Sequence, residues 1–585
     1  MFLIVLDHNN KKQRHYCYAV FLFLTVILLL TKYAVFSSYN GADDLHYALL
    51  SSRILNHQFD PFLPYDSFAG RIIPIFWQAC WFKIFGINDL SMQLPSLSIL
   101  IALAFIICFK AGIPRKPSLV ALAASLVYFN PVVFESTLGN LPDIYIALVT
   151  CLILLIIKKH VESAENNISD GVLIGILLTA GLFMKETILF VYVSVFVILI
   201  VFRKKIKLPF LYRVVIATVA GCIGWLLLFY IKTGDPLFRF LQLKNNAYLN
   251  GCSYQCYSAG RMLERLTVML PNVFMQSGFF PVLIIIPILF CKKKMIALFS
   301  SALQFYIVSF IILALTAVYF PLSIRPYIPL CHDSRHFLFL LPLAVMILVS
   351  GLNEVLQSDK KSKQLFFGMA AAILLLSVIV NIVFAPYNKW VIMNESLLGL
   401  CFAMMIIGKE KMVLLFTCVA IPAVLWLSVA YPLYKKEYHG YTSMKKMREM
   451  QRSMTEDDNM PNRFLYFTDH DTKMHYELAD KFDPLVNYIS LDTIEPGLVP
   501  YRQYQLEGIF KEGSQFKKGW LIVNPEYTPM NVNQLNSINA LLGQQSEMQT
   551  GYVRAYAVLS PIQLKQLLTI INDTSTIKPV CSCGK

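Results

Sequence analysis

The segment Gly41-Ala42-Asp43-Asp44-Leu45-His46-Tyr47 places two adjacent carboxylates just past the first long apolar run of the chain. A carboxylate can take a proton from an attacking hydroxyl, so Asp43 and Asp44 are candidates for a general base. A charge at the centre of a bilayer costs about 2.5–3.5 kcal/mol on insertion scales, and much less at the interface. The pair therefore belongs at a water boundary, within reach of a substrate that lives in the membrane. Other ionisable groups stand at similar boundaries: Arg71, Asp143 after Pro142, Lys185 beside Glu186, and the cluster His332-Asp333-Ser334-Arg335-His336 with Arg325 upstream. Arginine offers a planar fork and lysine a point charge, and both suit a lipid phosphate. Each residue also has a plain structural reading. The aspartate pair could cap a helix, although a cap needs only one carboxylate. Arg71 could snorkel to the interface, Asp143 could be an N-cap, and Lys185–Glu186 could be an adjacent ion pair. His332 and His336 have metal-ligand spacing, but the sequence does not fix them on a helix.

The elements that must position these groups are apolar. Hydrophobic residues make up 56% of the 585 residues, and the mean hydropathy is +0.56. That is above the usual share in soluble domains and indicates a polytopic α-helical membrane protein. Apolar runs lie at about 17–38, 90–109, 118–134, 141–157, 171–184, 187–202, 211–231, 273–291, 295–320, 337–352, 365–385, 391–408 and 412–433. Counted at about 20 residues per crossing they predict about 13 transmembrane helices over residues 1–433. The first run reads as an uncleaved anchor, because no clear small-residue cleavage site precedes the aspartates. The external loop 39–89 contains Leu45, Leu49, Ile54 and Leu55, which suit an amphipathic helix with the acidic pair at its positive N-terminal end. From Tyr434 the composition becomes mixed. Strand-like runs at 463–467 and 519–523 and helix-like pieces at 474–482 and 533–542 predict a soluble α/β domain over 434–585.

The net charge of +15 does not indicate nucleic acid, because it is concentrated in alternate short loops of the membrane part. Lys11, Lys12 and Arg14, then Lys158 and Lys159, Arg203 to Lys207, and Lys292 to Lys294 follow the positive-inside pattern. This predicts a cytoplasmic N-terminus, with Asp43–Asp44 and the C-terminal domain outside. Most of the 13 cysteines sit in apolar runs as small buried hydrophobes. Cys252 and Cys256, in the external loop 232–272, are a candidate disulfide in an oxidising compartment.

Taken together, these residues resemble the GT-C fold membrane glycosyltransferases, of the protein O-mannosyltransferase and lipid A aminoarabinose transferase type. The acidic pair followed by Tyr47 carries the resemblance first. Further similar segments follow in order: Phe85-Gly86-Ile87-Asn88-Asp89-Leu90-Ser91 with Leu94-Pro95-Ser96; Asn130-Pro131 with Asp143; Gly181-Leu182-Phe183-Met184-Lys185-Glu186; Thr233-Gly234-Asp235-Pro236-Leu237; and Ser334-Arg335-His336-Phe337. The similarity covers about residues 10–350. The chain departs from the family where Asp-Glu is usual and Asp43-Asp44 stands, where Arg71 replaces a Lys-Pro motif, and where His336 replaces a commoner Tyr.

The resemblance implies transfer of a sugar from a polyprenyl-phosphate donor to a lipid, glycan or protein hydroxyl at the outer face of the membrane. Asp43 is then the first choice as base, with Asp44 as second candidate or acceptor-positioning group. Arg71, Lys185 and Arg335 would hold the phosphate, and Asp143 would orient the acceptor or a cation. In-line displacement would invert the anomeric centre. A two-carboxylate site could also hold a divalent metal, which the sequence does not require. The preferred address is the bacterial inner membrane. Two readings compete: a secondary transporter, which should show internal repeats and mid-membrane charges, and a non-catalytic scaffold that has kept the fold.

Overall fold

The computed structural model describes residues 11–35, 42–163 except 65, 167–244, 259–267, 301–357 except 325, 326 and 332, and 360–384. It also describes five short strands of the tail and residues 396, 537, 540, 541 and 566. The chain divides into two compact units. One comprises Met1–Phe36, Gly70–Pro74 and Gln93–Lys435, and the other Ser37–Ala69, Ile75–Met92 and Lys436–Lys585.

The helices run in the order α1 (Lys11–Val35), α2 (Ala42–Leu55), α3 (Ile72–Phe85), α4 (Asp89–Lys110), α5 (Pro117–Tyr128), α6 (Pro131–Ser136), α7 (Asp143–Glu162) and α8 (Ile168–Leu182). They continue as α9 (Ile188–Val201), α10 (Leu208–Thr233), α11 (Phe238–Lys244), α12 (Ala259–Thr267) and α13 (Ser301–Tyr319). A two-stranded hairpin, β1 (Pro321–Ile324) and β2 (Tyr327–Pro329), and a 3₁₀ helix (Ser334–Leu340) lead into α14 (Leu341–Gln357) and α15 (Lys360–Phe384).

Among the described residues six helical stretches are long and apolar enough to cross a membrane: Gln13–Tyr33, Leu90–Lys110, Asp143–Glu162, Leu208–Thr233, Ser301–Tyr319 and Ser334–Gln357. Four shorter apolar helices accompany them, at Ile72–Phe85, Pro117–Tyr128, Ser169–Leu182 and Ile188–Val201. The apolar runs expected at 273–291 and 412–433, that at 391–408 apart from residue 396, and the Cys252–Cys256 pair lie outside the described residues. The apolar run 118–134 is two helices rather than one. Asn130 accepts a hydrogen bond from Val133 N at 3.2 Å and caps α6, and Pro131 at the first helical position cannot continue the preceding ladder.

The first unit has its core where α5, α7, the 3₁₀ helix and α14 meet. Val120, Ala123, Val127, Ile153, Leu154, Phe337, Leu343 and Ile347 are all fully buried there. The pair α8–α10 is built differently, on small residues. A Cβ on Gly171 would lie 3.0 Å from Arg213 Cβ, and one on Gly175 would lie 2.7 Å from the Ala217 carbonyl carbon. Gly221 faces Thr179 in the same way. With no hydrophobic drive between helices in lipid, such close backbone approach gains its stability from dispersion contacts. Gly175→Val should therefore wedge the pair apart and lower stability by about 1–3 kcal/mol. The readout is the melting temperature in detergent, and an unchanged value would refute this packing.

In the second unit, α2 is buried on more than one side. Asp44, Leu45, Tyr47, Ala48, Leu50, Ser51 and Ser52 are buried, whereas Leu49, Ile54 and Leu55 are half-buried. The expected one-sided surface helix is thus corrected to a packed one. Ser51 donates to the Ile75 carbonyl at 2.9 Å and ties α2 to α3. The tail strands β3 (Leu465–Thr468), β4 (Asn487–Ser490), β5 (Gly519–Val523), β6 (Met548–Thr550) and β7 (Val553–Val558) form one sheet in the order β4-β3-β5-β7-β6. β3 runs parallel to β4 and β5, and β7 is antiparallel to β5 and β6. The strand expected at 519–523 is β5, and the described part of the one expected at 463–467 falls in β3. The helix-like piece at 474–482 lies outside the described residues, as does most of 533–542.

Candidate functional site

The candidate cations gather within the first unit, and local sequence explains each placement. Asn140, fully buried, donates to the Pro74 carbonyl at 3.0 Å and accepts from the Tyr145 hydroxyl at 2.8 Å. It thereby holds the start of α7 against the segment that follows Arg71. Ile73 N donates to the Phe183 carbonyl at 3.1 Å, which brings Arg71 beside the turn between α8 and α9. On the third side Asp333 caps the 3₁₀ helix, accepting from Arg335 N at 3.0 Å, and that helix packs on α7.

Asp143 is not an N-cap, as its position after Pro142 had suggested. Pro142 is the cap residue, and Asp143 is the first residue of α7. Its Oδ1 accepts a 2.6 Å hydrogen bond from Lys185 Nζ, and both side chains are buried. Lys185 and Glu186 do not pair with each other either, because each turns to a different partner. Glu186 receives Arg71 Nη2 at 2.9 Å and Arg71 Nε at 3.2 Å on Oε2. Its Oε1 accepts from Arg239 Nη2.

The sequence reading missed Arg239. α10 ends at Gly234, whose φ of 76° only glycine adopts without strain. Asp235 Oδ1 then accepts Leu237 N at 2.8 Å, and α11 begins with Arg239 in its first turn. The Thr-Gly-Asp-Pro segment noted for its resemblance is therefore the turn that delivers a buried arginine. Arg239 Nη1 also donates to Gln242 Oε1 at 2.9 Å. Gly70 leaves the room it occupies: a Cβ there would lie 2.6 Å from Arg239 Nη1. Arg335 closes the set, with Nε 2.5 Å from Asp333 Oδ2. His336 beside it is buried, His332 lies outside the described residues, and so does Arg325.

Four cations, Arg71, Lys185, Arg239 and Arg335, thus face three carboxylates, Asp143, Glu186 and Asp333, in surroundings that are largely buried. Burial is the main reason that Lys185 is held down to about 8. Asp143 opposes this, and the positive charges of Arg71 and Arg335 push the same way as burial.

In the second unit Asp43 and Asp44 occupy the first turn of α2. Asp44 is buried, and its Oδ1 accepts Leu45 N at 2.9 Å; Asp43 is only half-buried. His46 Nε2 lies 2.9 Å from Asp66 Oδ2, and the His46 ring packs on Phe68. Burial alone would raise the Asp66 pKa. The charge and hydrogen bond of His46 and the amides of Phe68 and Ala69 outweigh it and lower the value to about 2. Asp66 is therefore a fixed carboxylate that orients the helix bearing the acidic pair. Among the described residues no three His, Cys, Asp or Glu side chains come together as a metal site.

Residues 72–227 match the family model described as dolichyl-phosphate-mannose-protein mannosyltransferase. No curated protein sequence matches the chain significantly. Two crystal structures of ArnT from Cupriavidus metallidurans share its fold. The apo form superposes with a TM-score of 0.60 and the form bound to undecaprenyl phosphate with 0.59. In each case 13% of residues are identical, and the match covers 92% of this chain and 97% of the other. At that identity the likeness is one of fold, whereas the family match is one of sequence. Both agree with the resemblance carried by the motifs: the chain has the fold of ArnT, and a stretch of its membrane part is similar to the mannosyltransferase family.

Proposed function

We propose that the protein transfers a sugar from a polyprenyl-phosphate carrier to an acceptor hydroxyl at the outer face of the membrane, with inversion at the anomeric carbon. The observation that carries this reading is the convergence of Arg71, Lys185, Arg239 and Arg335 on one partly buried patch of the first unit. Undecaprenyl phosphate bound to an ArnT of the same fold supports the lipid class of the donor.

The acceptor oxygen attacks C1 of the sugar while its proton passes to a carboxylate. The bond from C1 to the phosphate oxygen breaks, and its electron pair stays on the phosphate. Fixed positive charge stabilises that leaving group, so no proton needs to be donated to it. Asp43 is the assigned base, since its half-buried carboxylate is accessible while that of Asp44 is buried and engaged with its own helix terminus. Asp44 then positions the acceptor. Lys185, protonated below about 8, and Arg71 with Arg335 hold the phosphate, and Asp143 orients Lys185.

The outer face is assigned from the loop charges and from Cys331, which is disulfide-bonded two residues before Asp333. Such bonds persist in oxidising compartments. The bacterial inner membrane, with the N-terminus cytoplasmic and the domain after residue 433 outside, fits both. Mass spectrometry of lipids that copurify with the protein tests the proposal. A polyprenyl-phosphate sugar or the free polyprenyl phosphate is the expected finding, and consistent absence of both would count against the donor class.

A further inference from the structure

Arg71 and Arg239 approach Glu186 from two sides, each directing guanidinium N–H groups at a different carboxylate oxygen. The arginine fork matches a carboxylate and a phosphate by the same geometry. Arg239 is buried, while Arg71 and Glu186 retain 11% and 12% exposure, so the clamp is open on the side of the Arg71–Glu186 pair. The other two cations of the patch are likewise matched to carboxylates, Lys185 to Asp143 and Arg335 to Asp333. At Glu186 one carboxylate serves two guanidinium groups.

We propose that Glu186 is a resident substitute for the donor's phosphate. An incoming phosphate monoester or diester exchanges with the Glu186 carboxylate on Arg71 and Arg239, and Glu186 returns to the clamp as the polyprenyl phosphate leaves. Arg239 becomes a phosphate-binding residue, and Gly70 the residue that leaves space for it. The inference rests on the reading of Arg71 as a phosphate ligand. The exchange gives the site a way to release its anionic product. Without a competing carboxylate, two buried guanidinium groups would hold a phosphate too tightly, since an uncompensated buried charge is costly.

The test uses the full-length protein in detergent with farnesyl phosphate as the probe. Glu186→Gln should tighten farnesyl phosphate binding about tenfold, a shift of about 1.4 kcal/mol. Glu186→Asp, too short to span both guanidinium groups, should tighten it less. The unliganded Glu186→Gln protein should melt lower than wild type, and farnesyl phosphate should raise its melting temperature more than it raises that of wild type. Weaker or unchanged binding in Glu186→Gln would overturn the exchange. Arg71→Gln and Arg239→Gln separate the two levels of the proposal. If both weaken binding in the wild-type background while Glu186→Gln does not tighten it, the phosphate site stands and the exchange falls. If neither weakens binding, the phosphate site itself falls and the exchange with it.

Discussion

Asp43→Asn should lower the turnover of sugar transfer by about 10²–10⁴-fold, the range that a positioned general base contributes, and leave binding of the lipid donor intact. The amide is nearly isosteric with the carboxylate, so helix α2 and its packing should persist. Asp43 is half-buried in the first turn, and the substitution removes charge from a position that the helix dipole favours. That effect on stability is about 0.3–1 kcal/mol, too small to unfold the protein. Asp44→Asn should cost less turnover, because the amide oxygen can still accept from Leu45 N as the carboxylate does now. Release of polyprenyl phosphate from the donor in membranes reads turnover, and retention of copurified lipid reads binding. If both variants keep wild-type turnover, neither aspartate is the base. If Asp43→Asn loses donor binding and turnover together, the pair holds the donor instead of activating the acceptor. A transporter reading is tested by the same pair of readouts, since a carrier would release no polyprenyl phosphate in either protein.

How far the sequence disclosed this site depended on whether a residue's role is written locally. Asp43 and Asp44 stood out as candidates because two charges after a long apolar run belong at a boundary. Arg71, Asp143, Lys185 and Arg335 were legible as ionisable residues flanking apolar runs, and the structure brings these four together. Their pairings were not legible. Lys185–Glu186 reads as an ion pair along the chain, yet in the turn between α8 and α9 the neighbouring side chains diverge, to Asp143 on one side and to Arg71 and Arg239 on the other. Arg239 had almost no local signal in a chain with 51 lysines and arginines. What marks it is the preceding Gly234-Asp235-Pro236 turn, whose left-handed glycine fixes where α11 starts. Nor could the sequence show that Gly70 makes room for its guanidinium, since that approach spans well over a hundred residues. The fold followed the same rule. Apolar runs found the helices, and a single Asn-Pro step inside one of them, at 130–131, was read through although it splits α5 from α6.

The buried pair Lys185–Asp143 allows a second large effect to be separated into structure and function. Lys185→Met leaves the Asp143 carboxylate buried without its counter-charge, a loss of about 3–5 kcal/mol when one partner of a buried pair is removed. That variant should melt far below wild type and transfer no sugar, which alone would not distinguish a fold defect from a lost phosphate ligand. The double variant Asp143→Asn with Lys185→Met removes both charges and should recover most of the melting temperature. If Lys185 binds the phosphate, the double variant still fails to transfer; recovered transfer would reduce Lys185 to a structural role. The pH response of the wild type supplies the independent check. Lys185 is held down to about 8, against an ordinary 10.5. Between those values the unfolded chain carries the extra proton, so this group makes the fold more stable as pH rises through that window. The anionic donor needs the protonated lysine, so its affinity should fall through the same window, beginning near 8. Stability and donor affinity should therefore move in opposite directions above pH 8 in the wild type, and both contributions should vanish in the double variant. A wild-type donor affinity that stays flat from pH 7 to 10 would mean that the charge on Lys185 never meets the phosphate.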